Sequence, residues 1–285
     1  MFVILGLLFG VGCIIGGYLP HGDIKTLWQP FEYIIIIGGG IGAMVCANPK
    51  PVLMAALKGF GQAVKGPTKN KQSYLELLVM LYTVFRLAKS KGMLALESHV
   101  ENPHESNLFE NFPNFMKDHH AVEFLCDYLR LLTLGTDNPN EVETMMQDEI
   151  DTHHTEMLGA AGAIAALADS LPAFGIVAAV LGVIVTMGSI TEPPEVLGKL
   201  IGGALVGTFA GIMFSYAIFA PFGVNLKALA DAEGKYYSCI KAGILAYLQG
   251  YAPQVCVEFA RKTLFSHERP TFAEVEEAIQ EAPKV

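Results

Sequence analysis

Four segments of this chain are apolar over the length that a lipid bilayer requires. They cover residues 1–20, 31–47, 171–190 and 200–221. A membrane-spanning helix needs about 20 mostly apolar residues, because each residue adds about 1.5 Å of rise. Of the 285 residues, 52% are hydrophobic and 16% are charged, which is more apolar than an ordinary soluble domain. The sequence therefore predicts an all-α, polytopic membrane protein with four transmembrane helices and a large helical cytoplasmic domain.

The basic residues predict the orientation of these spans. Residues 48–158 hold ten of the 19 lysines and arginines, and residues 222–285 hold seven. Since Lys and Arg near span ends stay on the cytoplasmic side, both regions and both termini are predicted to be cytoplasmic. The net charge of −9 argues against nucleic acid as a partner.

This orientation divides the chain into four parts. Residues 1–48 form spans one and two with a short periplasmic loop, and residues 49–158 form a cytoplasmic helical loop. Residues 159–221 form spans three and four, and residues 222–285 form a cytoplasmic helical tail.

The long loop carries helical patterns of its own. Apolar residues recur at helical spacing within 73–100 and predict one apolar face, made by Leu75, Leu78, Tyr82, Phe85 and Ala88. A second helix is predicted from about Asp118 to Leu134, ended by Gly135. From Pro139 the helical pattern continues without a breaker into span three.

Two prolines lie where spans three and four meet the cytoplasmic face. Pro172 and Pro221 each remove a backbone hydrogen bond, so a broken helix is predicted at each, at similar depth in the membrane. Asp169 precedes Pro172 by three residues and is placed at the mouth of the span. The simpler alternative is that membrane helices tolerate proline and only bend.

Glycines at four-residue spacing predict close contacts between helices in lipid. The pairs are Gly6/Gly10, Gly12/Gly16, Gly38/Gly42, Gly198/Gly202, Gly203/Gly207 and Gly207/Gly211. The partial dinucleotide-binding pattern Gly38-x-Gly40-x-x-Ala43 lies inside a membrane span, so we interpret it as packing.

Evidence for catalysis or metal binding is weak. His119/Glu123 and Glu149/His153 are pairs one helical turn apart, but such pairs on polar helix faces are more often solvated. Zinc-protease, P-loop, hydrolase and kinase motifs are missing from the sequence, so we expect neither an enzyme nor a cofactor or metal. Spans three and four also contain no carboxylate near their middle. If ions cross here, another chain has to supply the acid.

Several blocks, in fixed order along the whole chain, closely resemble the MotA family, the A subunits of the bacterial flagellar motor stator. The blocks are KSKGMLALESHVENP (89–103), DYLRLL (127–132), ADSLPAFGIVAAVLGVI (168–184), VGTFAGI (206–212) and GYAPQVCVEFARKTLFSHERPTF (250–272). The resemblance implies a bacterial inner-membrane torque generator driven by ions. In that family, a ring of five A subunits surrounds two B subunits (MotB-like) that carry the protonatable aspartate and grip peptidoglycan.

The resemblance also assigns residues to an ion pathway. Pro172 and Pro221 match the two functional prolines of the family, and Thr208 matches a hydroxyl of span four that lines the ion path. Ala179 takes the place of a threonine found in sodium-driven relatives, which favours proton coupling. Asp169 is a further candidate at the mouth of this path.

A second set of residues is implied at the rotor. Lys89 takes the basic position that contacts the rotor switch protein (FliG-like), and Glu97 takes the acidic one. Arg86 and Lys91 are alternative cations.

Two other functions remain open at this point. One is an ion-driven energiser of outer-membrane processes of the ExbB/TolQ kind, which has three spans. The other is a non-conducting membrane scaffold whose loop binds partners.

Overall fold

The computed structural model describes residues 2–283, and over that range the chain forms helices and turns without a β-strand. The α-helices are α1 (Phe2–Tyr18), α2 (Ile24–Leu27), α3 (Pro30–Ala47), α4 (Lys50–Lys65), α5 (Lys71–Lys91), α6 (Glu97–Glu101), α7 (Pro113–Met116), α8 (His119–Thr133), α9 (Pro139–Gly188), α10 (Pro194–Met213), α11 (Ala220–Leu248), α12 (Pro253–Lys262) and α13 (Phe272–Gln280). The predicted all-α fold is confirmed.

The chain divides into two compact units. The membrane unit comprises the described part of residues 1–66 together with 155–230. The loop–tail unit comprises 67–154 and the described part of 231–285. Each unit has its own apolar core, and α9 and α11 contribute residues to both.

The membrane unit carries the long apolar helices. Within residues 2–283, three helical stretches are long and apolar enough to cross a membrane: Ile24–Ala47, Pro139–Gly188 and Pro194–Leu248. Val3–Tyr18 is a shorter apolar helix. The polytopic membrane fold is therefore confirmed, and the number of four spans stays a prediction.

The first of the two proline-containing helices is continuous. Helix α9 runs over 50 residues from Pro139 to Gly188, as the unbroken pattern predicts, and it passes through Pro172 without interruption. The break predicted at Pro172 is wrong. A single missing N–H leaves the rest of a long helical hydrogen-bond ladder intact, so the helix continues past it.

The second proline follows a change of helix type. A π-helical turn, Phe214–Phe219, separates α10 from α11, and the amide of Ala220 donates to the carbonyl of Ser215. Pro221 has no N–H for the carbonyl of Ala217, so the α-helical ladder is already incomplete at this place. The wider π turn moves the hydrogen bonds by one residue just before the proline.

Helices α9 and α10 are in backbone contact. A β-carbon added to Gly175 would lie 2.9 Å from the carbonyl oxygen of Gly207, and one added to Gly211 would lie 2.7 Å from the carbonyl oxygen of Leu171. One added to Gly182 would lie 2.7 Å from the β-carbon of Ala204. Close packing is thus confirmed for the Gly207/Gly211 pair.

Other glycines of the predicted pairs have no such contact inside the chain. Around the β-carbon positions of Gly6, Gly10, Gly12 and Gly16 on α1, no atom of the described residues lies within 4 Å. The same holds for Gly38 and Gly42 on α3. These glycine faces are therefore open on the single chain.

The contacts also fix the relative depth of the two prolines. Gly211 lies level with Leu171, next to Pro172, whereas Gly223, two residues after Pro221, lies level with Ala161 and Ala165. About eight residues of helix therefore separate the two prolines along α9, or roughly 12 Å. The similar depth predicted from the sequence is wrong, because it assumed that both apolar segments begin at the same membrane level.

The loop–tail unit is built around α5. All but one of the residues from Leu77 to Ala88 are buried, including Leu78 and Phe85, and α12, α13 and α7 pack against this helix. The prediction of a single apolar face is wrong, since neighbouring helices cover α5 on most sides.

The predicted ends of α8 are confirmed. The carboxylate of Asp118 caps the first turn by accepting from the amide of Ala121, and Gly135 follows the helix with φ 96°.

The backbone contact between α9 and α10 gives a stability prediction. Replacing Gly175 by Ala places a methyl group where backbone atoms already lie, so we expect a loss of about 1–3 kcal/mol in the free energy of unfolding. The matched control is Gly162→Ala on the same helix, where nothing lies within 4 Å. There, alanine is expected to stabilise by up to about 1 kcal/mol.

The measurement is the thermal unfolding midpoint of the purified chain in detergent. Gly175→Ala is expected to unfold at a lower temperature than the wild type, and Gly162→Ala at an equal or higher one. Equal midpoints for the two variants would contradict the close contact.

Candidate functional site

The contact between α9 and α10 brings three of the predicted ion-path residues to one pair of helices. The amide nitrogen of Ala179 lies 3.1 Å from the position of a β-carbon on Gly207, the neighbour of Thr208. Pro172 follows Leu171, whose carbonyl faces Gly211, about one turn from Thr208. All three side chains are half-buried. The helix pair therefore presents a proline, a methyl group and a hydroxyl within about two turns.

The other hydroxyls near this contact are engaged within their own helix. The hydroxyl of Thr186 donates to the carbonyl of Gly182 at 2.9 Å, and that of Ser170 donates to the carbonyl of Leu167 at 2.7 Å. Such bonds to the preceding turn are usual for Ser and Thr in membrane helices. They satisfy these two hydroxyls locally.

The two remaining ion-path candidates, Asp169 and Pro221, are exposed. Asp169 lies one turn before Pro172 on α9. Pro221 lines a largely apolar groove of about 770 Å³, between α1 and the segment from Tyr216 to Ala228. The structure thus separates Pro221 from Pro172, Ala179 and Thr208.

Two buried oxygens of the membrane unit were not identified from the sequence. Among the described residues, neither Oε2 of Glu32 nor Oδ1 of Asn225 has a hydrogen-bond partner. Asn225 lines the same groove as Pro221. The available signal for Glu32 was an acidic residue inside an apolar span, which is a functional candidate by default.

The predicted rotor residues surround the end of α5. Helix α5 ends at Lys91, and Gly92 turns the chain with φ 85°, a conformation that strongly favours glycine. A 3₁₀ turn, Met93–Leu96, then leads into α6, which begins at Glu97. Lys89, Lys91 and Glu97 are all exposed. The fold therefore presents two cations and one anion on either side of a tight turn.

Arg86 differs from the other three. Its guanidinium donates to the carbonyl of Pro283 at 2.5 Å and lies 5.5 Å from the ring centre of Tyr82. The side chain is half-buried. Arg86 thus binds the C-terminal tail at Pro283. Of the three cations considered for the rotor contact, only Lys89 and Lys91 are exposed.

The charges of these two lysines affect the pKa values of neighbouring groups. Burial raises the pKa of the Cys256 thiol to about 11, and the ammonium of Lys89 opposes that rise. Burial lowers the pKa of His99, and the ammonium of Lys91 lowers it further. The charge of Lys89 thus acts on a thiol of α12, and the charge of Lys91 acts on an imidazole of α6.

Residues of the two pairs weighed as metal ligands have partners within the protein. The carboxylate of Glu149 accepts from the hydroxyl of Tyr128 at 2.8 Å. The ring centre of His119 lies 5.8 Å from that of His104. It is His120 that lies 4.0 Å from Glu123, and its ring centre is 5.7 Å from that of His153. Across residues 2–283, no three His, Cys, Asp or Glu side chains are grouped as a metal ion would require.

Known proteins match this chain over nearly its full length. Residues 4–92 match the family model described as motility protein A N-terminal, and residues 117–238 match that of the MotA/TolQ/ExbB proton channel family. The chain is 41% identical to motility protein A of Escherichia coli (strain K12) over 281 residues, which cover 98% of this chain and 95% of that protein. It is 33% identical to the chemotaxis protein LafT of Vibrio parahaemolyticus, over 97% of this chain and 98% of that protein.

A solved structure shares the fold. A chain of the structure described as C. jejuni MotAB superposes with a TM-score of 0.78 at 24% identity, over 94% of this chain and 98% of that one. The match to the N-terminal model of motility protein A and the names of the relatives favour the stator family over the ExbB/TolQ alternative. The resemblance stated from the sequence blocks is confirmed, and the chain belongs to the motility protein A family.

Proposed function

We propose that this chain is the A subunit of a flagellar motor stator, which converts proton flow into torque on the rotor together with a MotB-like B subunit. The observation that carries the proposal is similarity to motility protein A over nearly the full length of both chains. The description of the C. jejuni structure names an A and a B protein together, which supports a B partner here. We place the complex in the bacterial inner membrane, with both termini of the A subunit in the cytoplasm.

The composition of the helix pair supports a partner that brings the acid. Between Asp169 and Glu192, α9 and the loop after it carry no ionisable side chain, and residues 200–221 carry no Asp, Glu, Lys or Arg. Proton relays in membranes need an ionisable group. An aspartate on the B subunit, facing Pro172 and Thr208, is the group we propose.

Protonation of that aspartate supplies the driving step. Neutralising a carboxylate removes a charge that is costly in hydrocarbon, and the B helix then shifts against α9 and α10. Each elementary charge that crosses the membrane releases about 2.3 kcal/mol per 100 mV. Pro172 lacks one helical N–H, and the π turn Phe214–Phe219 shifts the hydrogen bonds by one residue, so we propose that these two helices are the element that changes its packing.

Ala179 supports protons as the coupling ion. Its backbone packs on Gly207 beside Thr208, so its side chain borders the proposed path. A methyl group cannot replace a water ligand of sodium, whereas a proton needs no coordination shell from the wall.

Open apolar surfaces support a ring of A subunits. On α1, Leu8 and Phe9 are 63% and 75% exposed, on the helix whose glycine faces are also open. In α9, Ile184 and Val185 are each 61% exposed. Such surfaces suit lipid and helices of other subunits. We propose five A subunits around two B subunits, with Lys89, Lys91 and Glu97 facing the rotor switch protein.

A proline variant tests the role of the helix pair. Pro172→Ala restores the N–H that bonds the carbonyl of Ala168, so we expect a stiffer helix, normal assembly with the B subunit and no rotation. The measurement is rotation of tethered cells, in a host that lacks its own stators and expresses this chain with its B partner. Assembly is measured by co-purification from the membrane.

The matched control is Pro194→Ala at the first position of α10, where a missing N–H breaks no helical bond. This control is expected to rotate normally. Loss of membrane assembly in Pro172→Ala, or normal rotation of that variant, would count against the proposed role.

A charge reversal tests the rotor contact. Lys89→Glu is expected to reduce torque by about twofold to tenfold, because charge pairs steer the docking of two surfaces. Reversing an acidic residue on the rotor switch protein is expected to restore part of that torque. Lys117 is another exposed lysine of the loop–tail unit, and Lys117→Glu is the control that is expected to rotate normally. If no rotor-side reversal restores any torque, Lys89 is an ordinary surface lysine.

A further inference from the structure

Leu94 is exposed to solvent in the 3₁₀ turn Met93–Leu96, which lies between the residues predicted to contact the rotor. Leu94 is 71% exposed, whereas Leu96, two residues later, is 1% exposed. Met93 and Ala95 pack partly against the core of the loop–tail unit. The 3₁₀ turn therefore buries Leu96, partly covers Met93 and Ala95, and leaves Leu94 outside.

The outward position of Leu94 is fixed by the backbone. The carbonyl of Gly92 accepts from the amide of Ala95 at 3.2 Å, and the carbonyl of Leu94 accepts from the amide of Glu97. The turn also packs against α5 and α8. Rotation of this segment to bury Leu94 would break these bonds and expose Leu96.

The surroundings of Leu94 have the composition of a binding surface. Lys89 and Lys91 lie before it and Glu97 lies after it, all of them exposed. An apolar centre with a charged rim is the usual anatomy of a protein interface. The rim charges govern the rate of encounter, and a buried apolar side chain at the centre governs how long the complex lasts.

We propose that Leu94 is the apolar anchor of the rotor contact, and that it inserts into an apolar recess on the rotor switch protein. The two lysines require acidic side chains at one edge of that recess. This inference rests on the proposed stator function and adds to it the side chain that holds the contact.

The test uses single motors, in which the engagement or departure of one stator unit is expected to change the torque by one step. Cells that lack their own stators express the full A and B chains, and a bead on the filament reports each step. Leu94→Ser is expected to raise the rate of leaving about tenfold and to leave the rate of engagement unchanged. Leu94→Met keeps an apolar side chain and is expected to behave as the wild type. Lys89→Ala is expected to slow engagement instead.

The matched control is Leu134→Ser, since Leu134 is 77% exposed in the same unit, directly after α8. It is expected to leave both rates unchanged. Unfolding midpoints of the purified chains check that the serine variants fold as the wild type does.

The outcomes separate the anchor from the stator function. If stator units with Leu94→Ser leave the motor at the same rate as those with Leu134→Ser, while Lys89→Ala slows engagement, Leu94 is not the anchor and the proposed rotor contact still stands. If stator units with Leu94→Met leave the motor as fast as those with Leu94→Ser, an apolar recess on the rotor is also excluded. If wild-type chains show no torque steps with the B partner present in the membrane, the proposed stator function fails, and the anchor fails with it.

Discussion

The backbone contact between α9 and α10 determines most of what the membrane unit can do. Helices in lipid gain little from the hydrophobic effect, so close packing has to hold them together. Gly175, Gly207 and Gly211 permit that approach, since any larger side chain would meet backbone atoms of the other helix. The same contact places Pro172, Ala179 and Thr208 on one helix pair.

A pair packed in this way, without an ionisable side chain in its apolar part, cannot carry a proton alone. That limitation agrees with membership of the motility protein A family and with the acid that we propose on a B subunit. Pro172 removes one N–H from the ladder of α9, and the π turn Phe214–Phe219 shifts the hydrogen bonds by one residue before α11. Movement of a partner helix against the pair can therefore be accommodated without unfolding a span.

The sequence predicted features that depend on local chemistry. Asp118 as a cap, Gly135 after α8 and the uninterrupted helix from Pro139 are examples. Predictions from the sequence were wrong where a feature depends on neighbouring helices. Helix α5 is buried on most sides because other helices surround it. The different depths of Pro172 and Pro221 follow from the contacts that Gly211 and Gly223 make with α9. For the candidate rotor contact, the sequence predicted the residues around the turn at Gly92. It did not predict that Arg86 binds the carbonyl of Pro283 in the tail. The exposure of Leu94 could not be predicted either, because it depends on how that turn packs.

The most direct test of a proton-driven stator is the rotation of tethered cells with only this chain and its B partner as stator. Sodium is removed from the medium first, and a protonophore is added afterwards. Rotation is expected to continue without sodium and to stop when the protonophore collapses the proton gradient. Absence of rotation, despite assembly of both chains in the membrane, would contradict the stator function, and rotation that stops without sodium would contradict proton coupling.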